Sequence, residues 1–365
     1  MSKDILRSAI QKVATGPEYS KDIDINESYE AMLNILDKNV DPVQAAIYLI
    51  ALRMKRETLD ENTGSLKALL DKSIITTVDV DEIIDLAEPY NGFSRNTPVS
   101  PFLPAILASV GLATVTHGLT TVGPKFGLTH KKILEKVGVN VNKTPEDVSK
   151  DLCTPEISWA YIDQSKFCKS LHDLIDMRKR MVKRTVITTV EVLVGPIRGK
   201  NRTHLITGYV HPAYPPVYQH LANTSGFDTA ILIKGVEGGL TPPLRQDAKI
   251  YICNSDNKQS EVIFNPKDIG IEQNTRAVPL PELSKNSDSL DEISSEINIE
   301  EFAEKASIIG YDALSGKDGV AKDSLIYASS IIYSTIKSVN FLDAAKIIRK
   351  AIDSGKAKEF FSNAI

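Results

Sequence analysis

Apolar positions recur at helical spacing through the first seventy residues, and no β-branched run interrupts them. The N-terminal MSKDILRSAIQK reads as a helix and lacks the apolar core of a secretory leader. Asp41-Pro42 supplies an N-cap followed by proline at the first helical position. The following VQAAIYLIALRMK is nearly apolar all round in its middle, as suits a helix packed on several sides. A third helix is predicted from Thr58 to Leu70 with Gly64 inside it. Glycine costs about 1 kcal/mol against alanine there, so close helix packing is the expected reason for it.

After Ser73 the pattern changes to short β-branched runs, LATVTH, THLITGYV, TAILIKG and AKIYI. Helical patterns lie between them at Val99–Val110, Thr129–Val137 and Pro212–Asn223. The alternation predicts βαβ units and a mostly parallel sheet. Ligands of such sheets gather beyond the carboxyl ends of the strands. Attention therefore falls on HGLTTVGPKFG from His117, HPAYPP from His211 and KGVEGG from Lys234. KNSDSLDEISSEINIEE (285–301) reads as an acidic surface connection, and two amphipathic helices are expected from Lys322 onward.

Composition adds limits. The 365 residues are 42% hydrophobic and 25% charged, ordinary for a soluble globular protein. No apolar run approaches the roughly 20 residues that cross a bilayer, so a cytoplasmic protein is expected. Cys153, Cys168 and Cys253 have neither disulfide-framework nor metal-ligand spacing and are expected to be buried small hydrophobes.

The net charge of −4 makes one stretch stand out. Between Met177 and His211, five of the seven residues Arg178–Arg184 are basic, as are three of the five residues Arg198–Arg202. The segment between them, TVITTVEVLV, is β-branched. A local basic density in an acidic chain is a candidate anion site. On a helical wheel Leu171, Leu174, Ile175, Met181 and Val182 share a face, and Lys179, Arg180, Lys183 and Arg184 lie opposite. Arg178 projects from the apolar face. A guanidinium cannot stay there unpaired, so it must meet a protein carboxylate or reach a cleft and bind a ligand anion.

HGLTTVGPKFG places His117, Gly118, Lys125 and Gly127 in a turn-rich loop, where glycines would let backbone N–H groups approach an anion. It lacks the GK[ST] of a Walker loop. KGVEGG puts Lys234 and Glu237 at a strand end, but one carboxylate makes a poor Mg²⁺ site and no second acid stands nearby before Asp247. The six histidines form no HxH, HExxH or Ser/His/Asp arrangement.

Together these segments resemble the anthranilate phosphoribosyltransferase family, over nearly the whole chain. DPVQAAIYLIALRMKRET is similar to its helical-domain segment, and HGLTTVGPKFGLTHKKILEKVGVN to its HGN-type loop, keeping His117, Gly118, Lys125, Gly127 and Gly138. RKRMVKRT resembles R-x-x-L-G-x-R-T, with Arg178 where the family holds the anthranilate carboxylate. GPIRG, ALSGKDGVAKDSLIYASSIIY and AIDSGKA also match. The resemblance implies a small all-helical domain (1–72, with an inserted return helix at about 165–184) beside a larger α/β domain (73–365) of the nucleoside phosphorylase type. It also implies a cleft between them for a phosphorylated ribose near Lys125 and an acidic acceptor at Arg178, transfer from phosphoribosyl pyrophosphate, and a homodimer. Mg²⁺ is implied only if the chain is catalytic.

The chain departs from the family at the chemistry. The pyrophosphate loop GTGGD falls near 88–96, where this chain reads EPYNGFSRN. Leu119 and Thr120 follow His117-Gly118 in place of asparagine and arginine. Leu240 and Thr241 replace the acidic pair that holds Mg²⁺. No catalytic residue is assigned. Two readings follow. One is a divergent pentosyl-transferring enzyme without ordinary anthranilate activity. The other is a non-catalytic nucleic-acid-binding member of the family, with Lys179, Arg180, Lys183, Arg184, Arg198, Lys200 and Arg202 as candidate phosphate contacts on DNA or RNA. No aromatic stacking residue occurs in the basic stretch before Tyr209.

Overall fold

A computed structural model describes residues 2–254, 258–285 and 297–365. Four helices open the chain: α1 (Ser2–Val13), α2 (Ile25–Leu36), α3 (Pro42–Lys55) and α4 (Leu59–Asp71). Asp24, Asp41 and Thr58 cap the last three through side-chain oxygens that accept backbone N–H groups. Gly64 packs α4 against α2 closely, since a Cβ there would lie 2.4 Å from the Ile25 carbonyl oxygen.

The second body holds β1 (Thr76–Thr77), β2 (Glu82–Ala87), β3 (Thr114–Gly118), β4 (Trp159–Asp163), β5 (Ile197–Arg198), β6 (Arg202–Gly208), β7 (Thr229–Ile233), β8 (Ala248–Asn254) and β9 (Gln259–Phe264). β1 and β5 pair in parallel. The other seven form one sheet in the order β4-β3-β2-β6-β7-β8-β9, parallel from β4 to β7 and antiparallel at β8 and β9. Side chains alternate between two cores: Ile83, Leu205 and Leu232 face one, Ile84, Ile206 and Ile231 the other. The chain order reverses between β2 and β6, which creates the topological switch point at which open α/β sheets bind ligands.

Helices α5 (Leu103–Ser109), α6 (His130–Lys136) and α7 (Pro145–Cys153) follow β2, β3 and the loop after α6. Then α8 (Gln164–Phe167), α9 (Lys169–His172), α10 (Ile175–Met181) and α11 (Val186–Val190) form the segment that returns to α3 and α4. Next come α12 (Tyr214–Thr224), α13 (Ile299–Leu314), α14 (Val320–Lys337), α15 (Phe341–Asp353) and α16 (Lys356–Ser362). A small helical domain beside a larger, mostly parallel α/β domain is thus the architecture.

Several expectations need correction. Three helices, not two, close the chain, because Gly355 in a left-handed conformation separates α16 from α15. The β-branched TVITTV, to which the sequence reading assigns no element, turns as α11 with its valines and isoleucine buried against the helical domain, so tertiary packing overrides strand propensity. Cys153 is exposed at the end of α7, whereas Cys168 and Cys253 are buried. Residues 286–296 of the acidic connection lie outside the described residues. No helix among the described residues is long and apolar enough to cross a membrane.

Candidate functional site

Four loops meet at the carboxyl end of the sheet: 88–96 after β2, 119–128 after β3, 209–213 after β6 and 234–241 after β7. Glu88 ties the first to the last. Its carboxylate accepts the Leu240 N–H at 2.6 Å and the Ser100 hydroxyl at 2.7 Å, and it also meets His130. Burial pushes the Glu88 carboxyl up, but the charge and hydrogen bond of His130 outweigh this and hold it below the usual range. The second loop lies on the first through a backbone bridge between Phe93 and Leu128. Gly92 and Gly127 permit that crossing, since a Cβ on Gly92 would sit 2.5 Å from the Gly127 carbonyl.

These contacts reassign much of the HGLTTVGPKFG loop. Gly127 serves loop-on-loop packing, and Gly118 is the buried last residue of β3. The imidazole of His117 is buried between the Asp85 carboxylate at 2.8 Å and the Tyr90 hydroxyl at 2.5 Å, so it is spent inside the fold. Lys125 is buried as well, with its ammonium on the Gly92 carbonyl at 2.8 Å and on the Glu237 carboxylate. Burial lowers the Lys125 pKa despite Glu237.

Arg178 has a protein partner. Its two terminal nitrogens donate to the two oxygens of Glu191 at 2.7 Å each, and neither side chain is more than 4% exposed. The carboxylate expected from an acceptor is supplied internally, from the 3₁₀ turn that follows α11.

The remaining basic residues separate by position. The helix ends at Met181, where Val182 turns left-handed (φ 56°) and becomes exposed, so the wheel does not extend to Lys183 and Arg184. Arg180 pairs with Asp176 at 3.1 Å, and Lys179 lies over the Phe126 ring. Arg198 stacks on Phe227 at 4.0 Å and donates to the Val194 and Ser225 carbonyls. Lys200 meets Asp79 at 2.9 Å and Arg202 meets Glu82 at 3.1 Å. Arg198 is therefore engaged within the fold, while Lys200 and Arg202 each face a carboxylate from an exposed position. Moreover, Arg202 begins β6 whereas the loops described above lie past Gly208, about 20 Å away at strand rise. The two basic clusters do not form one surface.

A cleft of 200 Å³ opens at the switch point, between the helical domain and the strand ends. Arg53 of α3 and Arg184 of the return segment bring positive charge, and Thr185, Thr188 and Thr189 bring hydroxyls. Asn91, Tyr209, His211, Tyr214, Tyr218 and Glu237 complete much of the wall. Neither arginine has an ion-pair partner among the described residues. The buried side-chain nitrogen of Asn91 has no hydrogen-bond partner among them either. Sequence reasoning found Arg184 but missed Arg53, Asn91 and the tyrosines. Only the return of residues 164–190 to α3 brings the two arginines together, and no spacing in the chain signals it.

Lys234 lines a neighbouring cleft of 460 Å³ with Arg95 and Arg276, and Glu237 stands between the two clefts. The fit to Mg²⁺ is poor. Leu240 is in the core, Thr241 is buried, and no group of three His, Cys, Asp or Glu among the described residues could hold a metal.

The architecture is that of a helical domain packed on a mostly parallel α/β domain, with a cleft lined by Arg53 and Arg184 at the switch point of the sheet. The chain matches the helical bundle domain of a glycosyl transferase family over residues 7–73 and its α/β domain over residues 92–358, and it belongs to that family, which includes the anthranilate phosphoribosyltransferases. It is 25% identical to the anthranilate phosphoribosyltransferase of Petrotoga mobilis over 349 residues, 95% of this chain and 92% of that one. It is 24% identical to an uncharacterized protein of Aquifex aeolicus over 74% of this chain and 79% of the other. Among solved structures, the anthranilate phosphoribosyltransferase of Thermus thermophilus superposes with a TM-score of 0.75 at 16% identity, covering 99% of this chain and 98% of that one. The Saccharomyces cerevisiae enzyme in complex with PRPP and Mg gives 0.75 at 17% identity and the same coverage.

Proposed function

We propose that this chain is a divergent member of the family that binds a phosphate-bearing ribose ligand in the interdomain cleft, without ordinary anthranilate phosphoribosyltransferase chemistry. The observation that carries the reading is the set of donors unengaged among the described residues: Arg53 and Arg184, which have no ion-pair partner there, and the Asn91 amide, which has no hydrogen-bond partner there. A ligand phosphate between two guanidinium groups gains charge-assisted hydrogen bonds, and the threonine hydroxyls suit a ribose. Diphosphate departure needs cationic or metal compensation. Leu240 and Thr241 offer none, Arg178 is held by Glu191, and Lys125 by Glu237. Any pentosyl transfer therefore runs without the family's metal acids, and the acceptor is not an anthranilate carboxylate at Arg178. Calorimetric titration with ribose 5-phosphate tests the reading. R53Q and R184Q should each weaken binding about tenfold, the scale of one charge-assisted hydrogen bond. Unchanged affinity in both variants would remove it.

The nucleic-acid reading keeps one support, the absence of acidic partners for Lys183 and Arg184 among the described residues. It loses the second cluster, which is paired and lies at the other end of β6. Self-association of two chains is also proposed, through the apolar face of α3, where Val43, Ile47 and Met54 are 65%, 45% and 78% exposed.

A further inference from the structure

Glu237 fills an anion-binding arrangement made of the chain's own donors. It lies in the loop after β7 with a left-handed backbone (φ 53°, ψ 17°), a conformation unfavourable for a residue with a side chain. From there its carboxylate accepts the Arg95 N–H at 2.6 Å and the Ser94 N–H at 3.3 Å, and pairs with the buried Lys125 ammonium. Two successive backbone N–H groups with a lysine beside them are the donor set of an oxyanion nest. Here the anion comes from the chain itself.

The surroundings carry far more positive charge than one carboxylate balances. Arg53 and Arg184 line the cleft on one side of Glu237, and Arg95, Lys234 and Arg276 line the cleft on the other. None of these five side chains has an ion-pair partner among the described residues. The two clefts share only Val210 and Glu237 as lining residues, so these two stand between them and Glu237 is the charged one.

We infer that Glu237 is a displaceable stand-in for a phosphate group: the nest of Ser94, Arg95 and Lys125 is an oxyanion site held shut in cis, and a ligand phosphate enters it only when the carboxylate leaves. Lys125 keeps an anionic partner in either state, the Glu237 carboxylate or the ligand phosphate. Displacement also joins the two clefts into one cationic channel, which suits a ligand carrying two separated phosphate groups. The inference deepens the reading of the cleft given above, and rests on it only in placing an anionic ligand at this end of the sheet.

The test uses the whole chain and inorganic pyrophosphate as the probe. Glycine at position 237 removes the carboxylate and relaxes the left-handed backbone. E237G is expected to bind pyrophosphate at least tenfold more tightly than the native chain, and K125M placed on E237G should abolish the gain. Pyrophosphate should raise the Tm of E237G more than that of the native chain. A folded E237G with native affinity and no added Tm shift overturns the inference. E237Q, which keeps the shape of the side chain and removes its charge, covers the case in which E237G does not fold: equal affinity of E237Q and the native chain would also overturn it. The outcome is separable from that of the cleft reading, since R53Q and R184Q probe ribose 5-phosphate on the native Glu237 background.

Discussion

Arg178 and Glu191 hold each other by two parallel bonds of 2.7 Å, one on α10 and the other just past α11, both buried where the return segment meets the helical domain. The pair ties α10 to the turn after α11 and so brackets the loop that carries Arg184 into the cleft. Removing one partner leaves an uncompensated buried charge, which costs about 3–5 kcal/mol. R178M and E191Q should each lower the unfolding free energy from urea titration by that scale, and R178M/E191L should recover much of the loss. A double variant no more stable than the singles would show that the packing of both side chains, and not the unpaired charge, sets the cost.

Gly64 gives a second stability test. Alanine favours a helix by about 1 kcal/mol over glycine, so G64A would stabilise an uncrowded α4. Here its Cβ would lie 2.4 Å from the Ile25 carbonyl oxygen and 2.7 Å from the Tyr29 nitrogen, both backbone atoms of α2. The overpacking term should prevail, with a net loss of about 1–3 kcal/mol by thermal or urea unfolding.

These two positions also show what could be read from the chain. The Gly64 packing was legible because a glycine in a helix needs a reason, and helical spacing has one common answer. The Arg178 conflict was legible for the same kind of reason, as a charge on an apolar face, but its solution was not. Glu191 sits in a β-branched run that favours strand and is helical only because the helical domain covers it. The main parallel strands announced themselves by β-branched content. EIIDLA, which became the central β2, carries acids at two of six positions: Asp85 pairs with His117 inside the core, and Glu82 meets Arg202, His204 and Lys337 at the start of the strand. Likewise, glycines in the loop after β3 suggest an anion site when read alone. Only the partner loop reveals that Gly127 exists for Gly92.

His204 sets an acid dependence. It is buried beside Glu82 at 3.1 Å, and burial lowers its pKa below the ordinary 6.5 although Glu82 pulls the other way. A base whose folded pKa is depressed stays neutral in the fold while the unfolded chain takes up the proton. Its contribution is therefore complete above about pH 6.5 and is lost as the pH falls below that value. H204Q should flatten the dependence of Tm on pH between about 5 and 6.5, above the range in which ordinary carboxylates titrate. A native slope in H204Q would assign the effect to another group.

The α3 face makes an assembly prediction. Val43, Ile47 and Met54 project from it beside a 660 Å³ apolar cleft that Met177 and Met181 of the α10 region also line. The native chain should sediment as a dimer and I47E/M54E as a folded monomer. A monomeric native chain at tens of micromolar would end the proposal.

Binding of phosphoribosyl pyrophosphate with and without Mg²⁺ bears on the whole reading, because Leu240 and Thr241 stand where the resemblance implies metal acids, while Arg53, Arg184 and Asn91 line the cleft. Titration of the native chain in excess Mg²⁺ and again in EDTA should give affinities within about twofold of each other, both weakened about tenfold by R184Q, and no anthranilate should be consumed. Affinity that depends on Mg²⁺, or turnover of anthranilate, would contradict it.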